Sequence, residues 1–242
     1  LILDVRIGTA MSFLTDAANA AANPGTQPAL PQGADLTALV AAKLCHDFIS
    51  PSGAVMSGLD LLDDPTAQDM RDDAMGLIRQ SARKMIALVN FSRVAFGAST
   101  SAETFATDEL QNLLQGLTEG GRAQVEWRIQ PTHLPKSHAR TLLNLAYLTV
   151  GALPMGGTAT ITLREEDGWL SIAGQADGAR ARLKPEALSG LRGQPLSEGL
   201  HGQWIQPYWL WLTISESGGR LDTVVEDQRV SLLARLPMGQ EI

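Results

Sequence analysis

A single cysteine, Cys45, occurs in the 242 residues. One thiol closes no internal disulfide and builds no cysteine-cluster zinc site. No apolar run approaches the roughly 20 residues that span a bilayer. Basic residues are outnumbered, with 19 Lys and Arg against 26 Asp and Glu, a net charge of -7. Binding to nucleic acid or to anionic lipid gains from a basic face, so both are excluded as the main partner. The first ten residues carry Asp4 and Arg6 and lack the basic-then-apolar layout of a signal peptide. A cytoplasmic protein is the expectation. What is present is ordinary for a globular chain: 44% hydrophobic and 19% charged residues, in a length that suits one large domain or two small ones.

Residues 1–34 read as an N-terminal tail, because Asn23-Pro24-Gly25 and Pro28-Ala29-Leu30-Pro31 break any helix. From Asp35, a plausible N-cap, the pattern is helical. Leu36, Val40, Leu44, Phe48, Pro51, Val55, Leu59 and Leu62 recur at spacings of three and four, which predicts a helix over 36–62. Asp63-Asp64-Pro65-Thr66 then turns the chain. A second stripe runs Met70, Ala74, Leu77, Ser81, Met85, Leu88, Ser92 and Ala95, and Gly97 to Ser101 ends it. Two long helices joined by a short turn make an antiparallel hairpin over 35–98. Such a hairpin leaves one face bare, and pairing with a second copy into a four-helix bundle would cover it, so a homodimer is expected.

Residues 103–242 read as an α/β sandwich, giving an α+β fold overall. Helices fit Thr107–Thr118, Lys136–Leu153, Pro185–Leu191 and Tyr208–Ser217. Strands fit Gln124–Ile129, Thr158–Arg164, Trp169–Ala173, Arg220–Val225 and Arg229–Leu236, and Gly193–His201 is a loop.

Chemistry concentrates in Lys43-Leu44-Cys45-His46-Asp47-Phe48-Ile49-Ser50-Pro51. His46 points about 200° away from Leu44 of the apolar stripe, so it faces solvent. Asp47 is placed to orient or deprotonate the imidazole. Lys43, one turn back, is placed to neutralise an anion on the ring. Along the His46 face, Ser50, Gly53, Ser57 and Gly58 are small and leave room for another protein to reach it. Pro51 lacks the N–H that would bond the Asp47 carbonyl, which predicts a kink just beyond the His.

His-acidic-x-x-Ser-Pro on the first helix of such a hairpin resembles the phosphoacceptor box of sensor histidine kinases. The longer run Leu44 to Ala54, followed by Gly58-Leu59-Asp60-Leu61-Leu62, resembles the ChpT-type bacterial histidine phosphotransferases over about residues 35–237. The resemblance implies that the second half is a degenerate version of the kinases' ATP-binding (Bergerat-type) sandwich.

Three departures from the kinase pattern separate the two activities. The helix with Asn144 has Leu148 where a kinase has a second Asn for Mg²⁺, and a leucine offers no oxygen to a hard cation. The adenine-reading Asp-x-Gly-x-Gly is reduced to Asp177-Gly178. In place of a glycine-rich lid stands Gln203-Trp204-Ile205-Gln206-Pro207-Tyr208-Trp209, which cannot form a nest of backbone N–H groups. No ATP binding and no cofactor are therefore expected.

The implied reaction is a relay. His46 accepts a phosphoryl group from the receiver domain of a hybrid histidine kinase. It passes the group to the aspartate of a response-regulator receiver. Asp47 fixes the imidazole tautomer, and the receiver brings its own Mg²⁺. Ser50 is either a plain helix serine or a partner for a phosphoryl oxygen or a water. The alternatives are an active histidine kinase with divergent ATP motifs and a non-catalytic scaffold that docks receivers.

Other residues read more simply. Cys45 is expected to be buried or at the dimer face. His133, His138 and His201 share no ligand spacing with His46 and read as surface residues. The aspartates from Asp60 to Asp73 form a solvated tip at the hairpin turn. Arg79, Arg83 and Lys84 either meet a receiver or lie on an exposed face. Trp204, Tyr208, Trp209 and Trp211 read as core packing that fills the space of a nucleotide.

Overall fold

A computed structural model describes residues 29–97 and 103–239. The expected helix end at 98–101 and most of the expected tail, 1–28, lie outside the described residues. No described helix is long and apolar enough to cross a membrane.

The hairpin consists of α1 (Gly33–Asp63) and α2 (Arg71–Ala95), with a short 3-10 turn at Gln68–Met70 between them. Helix α1 starts two residues before Asp35, so the cap is Gln32 and Asp35 sits in the first turn, where its charge favours the helix dipole. The helix continues on both sides of Pro51, which is buried. Close packing of the two helices needs Gly58. A Cβ there would stand 2.6 Å from Ile78 Cγ1 and 3.1 Å from the Ala74 carbonyl. The small size of Gly58 thus serves the hairpin itself and not an approaching partner, a correction to the sequence reading. The aspartates of the tip are all exposed, as expected.

The remainder has the order β1 (Thr104–Ala106), α3 (Thr107–Thr118), β2 (Ala123–Arg128), β3 (His133–Pro135), α4 (Lys136–Gly151), β4 (Gly157–Glu166), β5 (Trp169–Asp177), α5 (Pro185–Leu191), α6 (His201–Glu216), β6 (Arg220–Glu226) and β7 (Arg229–Pro237). Five strands form one sheet in the order β2-β4-β5-β7-β6. β2 and β4 are parallel and the other neighbours antiparallel. The β4–β5 hairpin turns on Asp167 and Gly168, both at positive φ (51° and 78°), the geometry for which Asp-Gly is suited. β1 and β3 make a separate two-stranded ladder.

Helices cover one face of the sheet. Leu110 and Leu114 of α3, Leu142 and Leu145 of α4, and Leu210 and Ile214 of α6 pack on Ile161, Ile172, Leu232 and Leu236. The same core takes in Leu88, Phe91, Val94 and Ala95 from the end of α2, so the hairpin is anchored in the sandwich.

Helix α6 departs most from expectation. It begins at His201, inside the stretch read as a loop, and encloses Pro207. A proline inside a helix removes a backbone bond and costs about 3 kcal/mol. Burial offsets that cost. Trp204 and Tyr208 are each 1% exposed and pack with Leu30, just before α1, and with Leu36, Leu39 and Val40 at its start. Their rings stack at 4.4 Å, with Trp211 next along at 5.7 Å from Tyr208. Trp204 and Tyr208 are core, as expected, and the core they build joins α6 to α1; Trp209 and Trp211 are half-buried.

Candidate functional site

His46 lies on α1 with its side chain 84% exposed. Its Nδ1 stands 3.5 Å from Asp47 Oδ1. The other carboxylate oxygen, Asp47 Oδ2, accepts a bond from Lys43 Nζ at 2.6 Å. Lys43 is almost covered, its side chain 9% exposed, so its charge is committed to Asp47 and not to the ring. This corrects the expected role of Lys43. An i, i+4 pair on a helix places these two side chains together. Ser50, Gly53 and Ser57 are exposed along the same face, and a Cβ on Gly53 would meet nothing within 4 Å.

His46 stands at the mouth of a cleft of about 960 Å³. One wall is α1, with His46, Asp47, Ser50 and Pro51. The second is α2, with Gln80, Arg83, Lys84 and Leu88. The third comes from the sandwich, with Leu117 of α3, Glu119, Gly120, and Tyr147 of α4. Lys84 donates from Nζ to the Leu117 carbonyl in the last turn of α3. Burial pushes the Lys84 ammonium below its ordinary range, while Asp47 and then Glu119 pull it back up. Tyr147 is held above the usual phenol range, first by burial and then by the Asp47 charge. Asp47 is thus the charge that the interior of the cleft shares.

The sequence offers Lys84, with Arg79 and Arg83, as a receiver contact or an exposed cation and does not point to this place inside the cleft, and it does not single out Tyr147. The signal for Lys84 was available. Asp47 and Lys84 are equidistant from the turn at 64–67, and an antiparallel hairpin brings such positions face to face. Nothing in the sequence sets Tyr147 beside them, since that depends on how α4 packs on α2. Its ring meets Phe91 at 5.1 Å.

The other single residues fall as follows. Cys45 is exposed, which rules out the buried alternative. It shares its side of α1 with Ile49, Met56 and Leu59, which are exposed as well. Next to them on α2 are Ile86 and Val89; Ser52 Oγ meets Met85 Sδ at 3.5 Å across this seam. His133 and His201 are exposed, as expected. His138 is not; it is 8% exposed and bonded to the Pro237 carbonyl, so the surface reading fails for it. Among the described residues, no group of three or more His, Cys, Asp or Glu side chains is placed to hold a metal ion.

The positions compared with kinase motifs are occupied by protein contacts. Asn144 is fully buried. Its Nδ2 donates to the Ala95 carbonyl at 2.8 Å and to the Arg140 carbonyl at 2.9 Å. Its Oδ1 accepts from Gln206 Nε2 at 3.1 Å. Trp209 Nε1 makes a second bond to the Ala95 carbonyl, at 2.9 Å. Asp177 points away from the helices. Alternate residues of β5 (Leu170, Ile172, Gly174, Ala176) face the core, which leaves Asp177 on the open face with Gln175 and Arg229. Arg229 Nε and Gln175 Nε2 each lie 2.6 Å from its carboxylate and, with Gln175 first, hold it below the usual carboxylate range.

Comparison with known proteins agrees with this architecture. Residues 107–229 match the family model of the histidine phosphotransferase C-terminal domain. The protein phosphotransferase ChpT of Brucella abortus (strain 2308) is 34% identical over 188 residues, covering 77% of this chain and 88% of that protein. The solved structure of a bacterial phosphotransferase superposes with a TM-score of 0.75 at 30% identity, over 86% of this chain and all of the other.

Proposed function

The chain belongs to the ChpT-type histidine phosphotransferases of bacterial phosphorelays, and we propose that its phosphoryl group is carried on Nε2 of His46. The observation that carries this reading is the asymmetry of the imidazole. Nδ1 is turned to the Asp47 carboxylate, while the ring is 84% exposed at the cleft mouth. A carboxylate beside Nδ1 favours the tautomer with the proton there, so the lone pair sits on Nε2.

In the forward step, Nε2 attacks the phosphorus of a receiver's aspartyl phosphate. The N–P bond forms as the P–O bond to the receiver carboxylate breaks, and that carboxylate leaves with the electron pair. Positive charge grows on the ring and is met by Asp47, which Lys43 holds in place. The second step reverses the first with the aspartate of a second receiver. The donor is the receiver of a hybrid histidine kinase and the acceptor that of a response regulator. The cation each reaction uses is the receiver's own. Ser50, exposed one turn from His46, meets the phosphoryl oxygens or an ordered water, and Gly53 and Ser57 give the receiver an unobstructed surface.

No ATP-dependent step is proposed for this chain. Asn144, the one residue retained from a Mg²⁺-binding pair, has its amide committed to Ala95, Arg140 and Gln206. The segment in the place of a lid is helix, and Trp204 and Tyr208 are buried under the start of α1. The functional unit is a cytoplasmic homodimer. Support comes from the exposed Ile49, Met56, Leu59, Ile86 and Val89, which form one uncovered apolar side of the hairpin.

The test is transfer from a phosphorylated receiver to wild type and to His46→Ala, with ATP alone as a third lane. Acid-labile label on wild type only, and none from ATP, is expected. Label from ATP alone makes the chain a kinase. A receiver that binds without transferring makes it a scaffold.

A further inference from the structure

Lys84 sits where the two halves of the molecule meet. Its stem runs off α2 and its ammonium bonds the Leu117 carbonyl in the last turn of α3. Cations at a helix C-terminus satisfy carbonyls that have no partner within the helix. The opposite wall of the same cleft carries Asp47, whose charge is the largest one acting on Lys84; Glu119 comes second. A half-covered ammonium is costly unless a carboxylate nearby stays ionised. Lys43 already takes one oxygen of that carboxylate, and the other faces His46 Nδ1.

We infer that Lys84 is a positioning residue for phosphotransfer: bonded to the end of α3, it lines the cleft across from the carboxylate that orients His46 and bears on it through charge. This rests on the reading of His46 as the phosphoacceptor and goes beyond it. The sandwich then acts on the imidazole itself through Asp47, whatever surface it also offers to a receiver. The hydrogen bond Lys84 makes is to the Leu117 carbonyl and not to His46, so the effect inferred for it runs through Asp47. Arg83, beside it on α2, is exposed.

The test uses the full chain as wild type, Lys84→Met, Lys84→Arg, Asp47→Asn and the Asp47→Asn/Lys84→Met pair, with His46→Ala as the blank. Initial rates of phosphoryl uptake are read from a phosphorylated receiver and from phosphoramidate, a small N–P donor with no docking surface. All rates are taken below each variant's melting transition. Should Lys84→Met melt too early, Lys84→Gln, which keeps a donor for Leu117 but no charge, carries the same comparison. Lys84→Met is expected to slow uptake from both donors about tenfold, and Lys84→Arg to restore most of it. In the Asp47→Asn background the Met change is expected to add no further loss.

A loss confined to the receiver would make Lys84 a docking residue and overturn the inference. So would losses that multiply in the double variant, or unchanged rates from both donors. Failure of the underlying reading looks different: wild type takes up no label, or His46→Ala takes up as much as wild type. The Lys84 inference then falls with it.

Discussion

At the scale of single residues, the carboxylate of Asp47 connects more groups than its place beside His46 suggests. One oxygen faces Nδ1 and the other takes the Lys43 bond, while Lys84 and Tyr147 both feel its charge. Asp47→Asn keeps the shape and removes the charge. On the proposed mechanism, the imidazole then loses both its tautomer preference and the group that meets its growing positive charge. Phosphoryl uptake is expected to fall by about 10- to 100-fold, with receiver affinity little changed. Initial rates and a binding titration with the same receiver separate the two quantities; a loss of affinity alone would move Asp47 from orientation to docking. Gly58 shows a different dependence. With a Cβ only 2.6 Å from Ile78 Cγ1, Gly58→Val is expected to destabilise the hairpin by about 1–3 kcal/mol, read by urea denaturation.

At the scale of elements, α2, α4 and α6 meet at the Ala95 carbonyl, which takes bonds from Asn144 and Trp209. Asn144→Ala leaves the Gln206 amide buried without its acceptor, and a loss of about 1–3 kcal/mol is expected in equilibrium unfolding. A loss within experimental error would mean that the site relaxes around the gap. His138, on α4, gives the fold a pH dependence. Burial depresses its pKa, against the pull of the Pro237 carbonyl and of Glu165. The native state therefore binds fewer protons than the unfolded chain just below the ordinary histidine value of about 6.5. Stability is fully present above that value and is lost as pH falls toward the depressed folded value. His138→Gln should flatten the drop in melting temperature between neutral and mildly acid pH; an unchanged slope assigns the drop to other groups.

These elements were unevenly legible in the sequence. Helices α1 and α2 announce themselves through apolar spacing and the Asp-Asp-Pro turn, and α3 and α5 match their expected bounds. Helix α6 does not, because local signals stop at Pro207 while the burial that overrides them comes from α1, far back in the chain. β1 and β3 are three residues each and exist through their pairing, and the parallel partnership of β2 with β4 has no local mark. The site follows the same rule. His46, Asp47 and Ser50 lie in one short motif, whereas Lys84 needs the hairpin register and Tyr147 needs the tertiary fold.

At the scale of the whole molecule, the bare side of the hairpin and the anchored end of α2 divide the labour. Leu88, Phe91 and Val94 fix the hairpin in the sandwich core, while Ile49 and Ile86, at 69% and 62% exposed, lie on the side left uncovered. Ile49→Glu with Ile86→Glu puts charge on that side only. For the proposed homodimer, the pair is expected to give a monomer by analytical ultracentrifugation, with helix content kept; a dimer that survives both changes would place the interface elsewhere. Phosphotransfer turns on one nitrogen, and NMR reads that nitrogen itself. Protein labelled with ¹⁵N in histidine is charged by a phosphorylated receiver, and ³¹P–¹⁵N coupling is read by NMR. A single phosphohistidine is expected, at His46, coupled through Nε2. Phosphorus on Nδ1, or on any other residue, would contradict it.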